Sequence, residues 1–551
     1  MNKLRGSELT LYLIIAFAAL GSRLWLFGIV PGGGGINQDE AMAAYDAYAL
    51  SLYGTDRFGM SLPVHFTAWI IGQMSTLLSY LMVPFIKIFG LSTLVVRLPM
   101  LIVSLISLEV ARRFVYCWFG KMASWICFAY LAIAPWHIMS ARWALDCNLL
   151  PHFLLFGFYF LTLGIQKKSY FYYLSAMFFG LSMYTYGIAW YSVPLMMMAV
   201  AVFLFWKKVN ISLILGAAGV YFLVALPIFV VMIVNYFQLE TVTFGRLTMP
   251  YFEHSIRSND ILFFSSPFFA QLQVNFQSFY SRLLLQTPDA PWNSVPAFGP
   301  FYKGAPLLII PALSGMYYGV KNRKILDEKE GTGAALILIW LGIAFLACLI
   351  VNNGNINRMN ITLYPLSLLI GLGISYLVVE LRNSVIFKKF GVVLLVLFFV
   401  VSFFRFTVSY LGEHDRNEIE RRFYKGFKEA LSEAESAVEI LDGGRHDILY
   451  ISTDTQGRGA HFTTEILTLF YLAIDPKWYQ GNQNDSGAYY RNRVRYVNFQ
   501  DVSIADLSGA RRSFVFTDGD VHIMDEEVWE YLYGNYEIVQ YERYMVAVRG
   551  D

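Results

Sequence analysis

Between Leu9 and Val408 the sequence repeatedly runs through long apolar stretches and stops at short tags of lysine or arginine. A run of about twenty apolar residues can lie in lipid only as a helix, because every backbone N–H and C=O must then be satisfied within the segment. Residues are 56% hydrophobic and 15% charged, against about 25% charged in an ordinary soluble domain. The expected architecture is an α-helical polytopic membrane protein. The formal net charge of +2, with cations dispersed rather than clustered, argues against a nucleic-acid partner. Cys117, Cys127, Cys147 and Cys348 lie in or beside apolar runs without a CxxC pair, so they read as buried thiols rather than a disulfide or zinc framework.

The cationic tags set the topology. Lys3 and Arg5 precede the run Leu9–Val30, which is too long for a cleaved signal and reads as a retained anchor leaving the cytoplasm. The segment Trp69–Phe89 contains Gly72, Gln73, Pro84 and Lys87. If it crossed, Arg112, Arg113 and Lys121 would fall outside, so it is expected to be interfacial or re-entrant. The runs Leu94–Trp118, Met122–Met139, Leu149–Ile165, Phe171–Gly187, Val193–Trp206, Ile211–Val234, Leu307–Val320, Ala334–Val351, Ile361–Val379 and Val392–Val408 then alternate. This gives about eleven spans, with the N-terminus cytoplasmic and the C-terminus outside. The first outer loop covers 31–93, and a large one covers 235–303. After Tyr410 the composition turns charged: a helical pattern at Glu413–Glu439, then alternating strand and helix patterns at Asp447–Thr453, His461–Ile474, Ser513–Thr517, Asp525–Tyr533 and Tyr544–Val548. Residues 1–410 thus form the membrane part, and 411–551 a small extracytoplasmic α/β domain.

On that topology the polar oddities gather on the outer side: Asp39, Glu40, Arg57, His65, Arg97, Arg142, Asp146, His254, Asp289 and Arg358. Asp39 and Glu40 follow the glycine run Gly32–Gly35 and precede a short surface helix, Ala41–Leu52, that carries Tyr45, Asp46 and Tyr48. Paired carboxylates at such a place can act as base, bind a cation or orient an acceptor hydroxyl. The competing readings are a solvated turn for the pair, a helix cap for Glu40 and a polar hairpin turn for Asp146. The arginines suit a phosphate, with snorkelling to lipid headgroups as their competitor. Asp289-Ala290-Pro291-Trp292-Asn293 reads as the rim of an acceptor site or as a stiff loop. The glycine run lacks the GK[ST] of a phosphate loop.

Three places, with a fourth as a weaker echo at Arg358, resemble a known family. Asp39-Glu40 directly follows the first span. Arg97-Leu98-Pro99 opens the next span after Phe89-Gly90. Ala141-Arg142 is followed by Asp146 at the mouth of a hairpin, and Arg358 precedes Leu363-Tyr364-Pro365. Together they resemble the GT-C superfamily of integral-membrane glycosyltransferases, nearest the protein O-mannosyltransferase and aminoarabinose (lipid A) transferase group, over roughly residues 1–410. The resemblance implies sugar transfer from a polyprenyl-phosphate donor to a glycan, lipid or protein acceptor, inverting at the anomeric carbon, at the outer face of the cytoplasmic membrane. It implies Asp39 as base, with Glu40 and Asp146 in the catalytic group. Arg97, Arg142, Arg358, His65, Tyr45 and Tyr364 would contact substrate. A divalent cation, with Asp39 and Asp146 as ligands, stays open. The chain departs from the group where aminoarabinose transferases carry Glu-Lys-Pro: here Val64-His65-Phe66-Thr67-Ala68-Trp69 offers no carboxylate, and His65 is left as the one candidate substitute. The competing classes are a transporter or flippase of lipid-linked saccharides, weakened by the absence of internal repeats, and a glycan polymerase or ligase centred on Asn235–Lys303.

Overall fold

The computed structural model describes all residues except 1–5, 69–71, 254–259, 322–327, 384–389, 413, 415, 439–446, 454–459, 481–492, 510 and 550–551. His254 and the tag residues Lys3, Arg5, Arg323, Lys324, Lys388 and Lys389 lie outside the described residues.

Among the described residues, eight helices are long and apolar enough to cross a membrane, among them Gly6–Leu24, Thr93–Ile133, Ile211–Tyr236 and Gly391–Leu411. Three shorter apolar helices, Leu77–Phe89, Phe171–Ser182 and Ala305–Tyr317, accompany them. The expected eleven spans are thus not each a full-length helix. Phe171–Ser182 has only 12 residues, about 18 Å at 1.5 Å per residue, against a hydrocarbon core of about 30 Å. Phe17, Leu223, Val393, Leu394 and Phe404 stand exposed on the helix surfaces. Apolar surface of that extent is stable only against lipid. The protein is a multi-pass membrane protein.

Thr93–Ile133 is a hairpin rather than one rod. Gly120 interrupts it at φ 79°, ψ −173°, a conformation that costs a residue with a Cβ dearly. The two arms run back alongside each other: Ser104 and Ser107, 16 and 13 residues before Gly120, meet His137, 17 residues after it. Gly120 therefore makes the turn expected between Leu94–Trp118 and Met122–Met139.

Two expectations along the first loop need correction. The helix of Gly6–Leu24 ends before Val30, and the chain then coils through the glycines. Trp69–Phe89 is not one apolar segment. Residues 69–71 lie outside the described residues; Gly72–Ser75 pairs antiparallel with His65–Ala68, and the rest is the helix Leu77–Phe89, too short to span. Short apolar strands and helix segments cannot be told apart by periodicity.

The helix at the expected surface position, Gln38–Tyr53, is buried. Its alanines leave room for neighbours on every side, and the C-terminal domain lies on it. Tyr45 donates to the Ile474 carbonyl at 2.8 Å, and Tyr53 to Asp475 at 2.7 Å. Asp46 is bonded to Arg57 through both its backbone N–H and its guanidinium, at 3.0 and 2.5 Å. Burial raises the Asp46 carboxyl to about 7 against the pull of Arg57.

The C-terminal domain is built on one five-stranded sheet in the order Val494–Val497, Ile448–Ser452, Arg512–Thr517, Tyr544–Val548, Glu537–Tyr541. The first three strands are parallel, with Leu449 opposite both Val494 and Ser513; the last two are antiparallel additions. The continuous helix expected over Glu413–Glu439 is instead two, Arg416–Arg422 and Phe427–Val438. Tyr424 at φ 55° and Gly426 at φ 87° break it, and the break turns Phe423 inward.

Candidate active site

Two residues after the glycine run comes Asn37, whose side chain accepts from Asp39 N–H at 3.0 Å and starts the Gln38–Tyr53 helix. Asp39 is its second residue and Glu40 its third. Glu40 is fully buried and fully bonded. Its Oε1 accepts from Arg97 Nε at 2.9 Å and from Ala144 N–H at 2.6 Å; its Oε2 accepts from Arg97 Nη2 at 2.8 Å and from Asn37 N–H at 3.2 Å. The capping role and an ion pair therefore coincide at Glu40, both of whose carboxylate oxygens are taken up within the protein. Its carboxylate joins two segments more than a hundred residues apart, one carrying Asp39 and the other, through Ala144, carrying Asp146.

Arg97 is equally spent. A guanidinium has five N–H donors. Two go to Glu40, and the rest reach the carbonyls of Gly28, Pro31 and Gly35 at 3.2–3.4 Å. Arg142, also buried, donates to the carbonyls of Ser22, Arg23, Trp25 and Val30 at 2.7–3.3 Å, closing the C-terminal end of the Gly6–Leu24 helix where a cation is favoured. These two arginines fasten the coil leading to Asp39, and neither is placed to take the phosphate expected of it. Arg358 differs. Its side chain is 25% exposed, pairs with Asp260 at 2.8 Å and donates to the Asn352 carbonyl at 2.6 Å.

Asp39 and Asp146 remain half-buried, each partly open at the surface of this scaffold. Asp146 sits at the N-terminal end of the helix Leu149–Gln166, accepting from Cys147 N–H at 2.7 Å and Ser75 N–H at 3.3 Å. Asp39 is bordered by the turn after Arg416–Arg422: Tyr424 donates to Gln38 at 2.8 Å, and Asn37 donates to the Arg422 carbonyl at 3.2 Å.

The other expected substrate contacts lie elsewhere. His65 is buried on its strand with its ring 4.9 Å from Trp190 and 5.9 Å from Phe252. Tyr45 serves the C-terminal dock. Tyr364 belongs to a buried network that sequence reading did not find. Its hydroxyl lies 2.6 Å from Ser107 Oγ, 3.0 Å from His137 Nε2 and 3.0 Å from His152 Nδ1. Arg23 Nη2 lies 2.8 Å from His137 Nδ1, and because a guanidinium only donates, that nitrogen accepts. Tyr364→Phe leaves buried partners unmatched and is expected to cost about 1–3 kcal/mol, read as a lowered unfolding temperature in detergent. An unchanged temperature would show that the network does not support the fold.

Among the described residues no group of three or more His, Cys, Asp or Glu side chains comes together that could hold a metal ion.

Beside Asp146 lies a small, shallow cleft. The turn 140–148 supplies Ser140, Trp143 and Asn148; the loop 351–362 supplies Ile356, Asn357 and Asn360; Trp292 and Asn293 close the rim. The rim expectation named Trp292 and Asn293. The other asparagines are scattered in sequence, and only the density of Asn from Asn352 to Asn360 hinted at them. Asp289 holds the loop by accepting from Ile356 N–H at 2.7 Å.

Among solved structures, ArnT from Cupriavidus metallidurans in the apo state aligns over 98% of this chain and 96% of its own, at 13% identity and a TM-score of 0.50. The same protein bound to undecaprenyl phosphate aligns equally well. The Archaeoglobus fulgidus oligosaccharyltransferase AglB, in complex with an inhibitory peptide and a dolichol-phosphate, aligns over 98% of this chain and 74% of its own, at 12% identity and a TM-score of 0.51. No protein-family model matches the sequence, and no curated protein does. At such identities the likeness concerns the fold alone, which this chain shares with these two proteins.

Proposed function

We propose that the protein transfers a sugar from a polyprenyl-phosphate donor to a hydroxyl of a cell-envelope glycan, lipid or protein. The active site would lie at the outer face of the cytoplasmic membrane, with the N-terminus cytoplasmic and the C-terminal domain outside. The observation that supports this reading is the pair of half-open carboxylates, Asp39 and Asp146, joined through the buried Glu40–Arg97 ion pair. The fold is one in which ArnT has been seen with undecaprenyl phosphate.

In the reaction, Asp39 takes the proton of the acceptor hydroxyl. The acceptor oxygen bonds to the anomeric carbon from the face opposite the leaving group, the bond from that carbon to the phosphate oxygen breaks, and polyprenyl phosphate departs with the bonding electrons. Configuration inverts. Arg358, the one of the three expected arginines that is partly open, would meet the leaving phosphate. Asp146 lies on the other side of the ion pair and helps place the acceptor.

Purified protein in detergent, given a panel of radiolabelled polyprenyl-phosphate sugars with an envelope-lipid extract as acceptor, is expected to release polyprenyl phosphate. Asp39→Asn is expected to lower kcat by about 10²–10⁴ with an unchanged unfolding temperature. Equal turnover by both proteins would remove Asp39 from the mechanism.

A further inference from the structure

The segment 260–286 is held at both ends among the span ends that lie toward the C-terminal domain. At its start Asp260 pairs with Arg358 at 2.8 Å, and Asn352 donates to Ser265 Oγ at 2.7 Å. At its finish Gln286 accepts from Phe301 N–H and donates to the Tyr302 carbonyl, each at 2.8 Å. Tyr302 in turn donates to the carbonyl of Ile133, the last residue of the span Thr93–Ile133. In between, the helix Phe268–Phe279 continues to Leu284 through a wider turn. Asn275 donates to the Leu349 carbonyl at 2.9 Å and to Asn352 Oδ1 at 3.0 Å, and one turn later Phe279 packs on Phe345 at 4.9 Å. The helix therefore runs along the span Lys329–Ile350 from its end to about 7 Å inside it, at about 1.5 Å per residue.

Asn275 and Phe279 turn inward, and the far side of the helix is open and aromatic along one flank. Phe269 is 81% exposed and Phe276 49%, and Tyr280 stands open beside them. Their spacing puts these three on one stripe. Gln273 and Gln277 occupy the adjoining flank, also exposed. Arg282, the one charged residue from Pro267 to Leu285, is half-buried and falls by spacing with Asn275 and Ser278, away from the stripe. Phe276 also meets Phe345 at 6.4 Å, and the next residue of that span, Leu346, is exposed on the surface that faces lipid. The aromatic stripe thus continues an apolar surface that the span already presents to the membrane. In water it would leave that apolar area unburied.

We propose that Phe268–Leu284 is an interfacial membrane helix: Phe269, Phe276 and Tyr280 lie among the phospholipid acyl chains of the leaflet next to the C-terminal domain, while Gln273 and Gln277 face water. An apolar flank beside a polar one suits a helix sunk about 5–10 Å into the boundary between headgroups and acyl chains. The contact reaches the loop 351–362. Asp260 and Asn352 both hold Arg358, so the lipid-seated helix also fixes where that guanidinium stands. The inference rests on packing against the span and holds whatever group Arg358 meets.

The test places p-benzoylphenylalanine in place of Phe269, Phe276 or Gln277 in the full-length protein, in nanodiscs of phosphatidylethanolamine and phosphatidylglycerol. On illumination the probe bonds to its neighbour, which is read as the mass added to its peptide. All three positions are open, so the larger ring needs no room in the core. Phe269 and Phe276 are expected to give lipid adducts roughly fivefold more often than Gln277. Phe269→Asp/Phe276→Asp supplies a second reading. Charge is costly among acyl chains, so amide exchange across 262–285 is expected to rise roughly tenfold while Lys329–Ile350 keeps its protection. Equal lipid yields at Phe276 and Gln277, adducts to a second protein chain in place of lipid, or exchange unmoved by the two aspartates would overturn the proposal.

Discussion

Arg97→Met is expected to destabilise the protein by about 3–5 kcal/mol, the usual cost of removing one partner from a buried ion pair. The substitution leaves the Glu40 carboxylate with only the N–H groups of Asn37 and Ala144, and it strands the carbonyls of Gly28, Pro31 and Gly35. Glu40→Gln keeps the shape and is expected to cost less, because three carbonyls still surround the guanidinium. The double variant Glu40→Gln/Arg97→Met should lose less than the sum of the two single losses. Unfolding in mild detergent for all four proteins closes the cycle. Additive losses would show that the pair is not coupled. A second readout follows from geometry: if the pair holds the Asp39 and Asp146 segments together, each single variant should also lose transfer activity at temperatures where it remains folded.

The contrast between these arginines and Arg358 shows where sequence reading reaches its limit. The spacing and charge of Arg97, Arg142 and Arg358 placed all three near one membrane face, and phosphate binding was a fair reading for each. What fills an arginine's donors depends on chain far away in sequence. The carbonyls of residues 22–35 converge on Arg97 and Arg142 only once the hairpin at Gly120 has brought residues 97 and 142 back to the first loop. Helix existence was more legible. Val392–Val408 became Gly391–Leu411 and Ile211–Val234 became Ile211–Tyr236, since a long apolar run has few alternatives in lipid. The hairpin at His65–Ser75 was not legible, because an apolar segment of that length has no helical or strand signature of its own. The cleft joins Trp143 to Asn360 across more than two hundred residues. Trp292 and Asn293 were visible beside a Pro-bounded loop, but their partners follow from topology alone.

Gly35→Ala is expected to undock the turn that borders Asp39. A Cβ at position 35 would lie 2.0 Å from the Phe423 carbonyl oxygen and 2.9 Å from its carbon, which are backbone atoms that cannot swing aside. Neighbouring Gly32 is equally close-packed, its added Cβ falling 2.4 Å from Phe423 Cβ. The glycine run thus supplies contact room as well as a turn, and Phe423 uses that room to lie over Arg97 and against Trp143. Gly34 separates clash from strain. It has open space around it but φ +91°, so Gly34→Ala should cost only the conformational term of about 1–2 kcal/mol and leave the turn in place. Gly35→Ala should instead expose the segment 411–426 to protease and raise amide exchange at Phe423 and Tyr424, while the membrane helices keep their protection. Donor turnover should fall with it, because Tyr424 and Arg422 also hold Gln38 and Asn37 beside Asp39. Protection equal to that of the unchanged protein would mean that Phe423 yields easily and that the C-terminal domain rests on the site without shaping it.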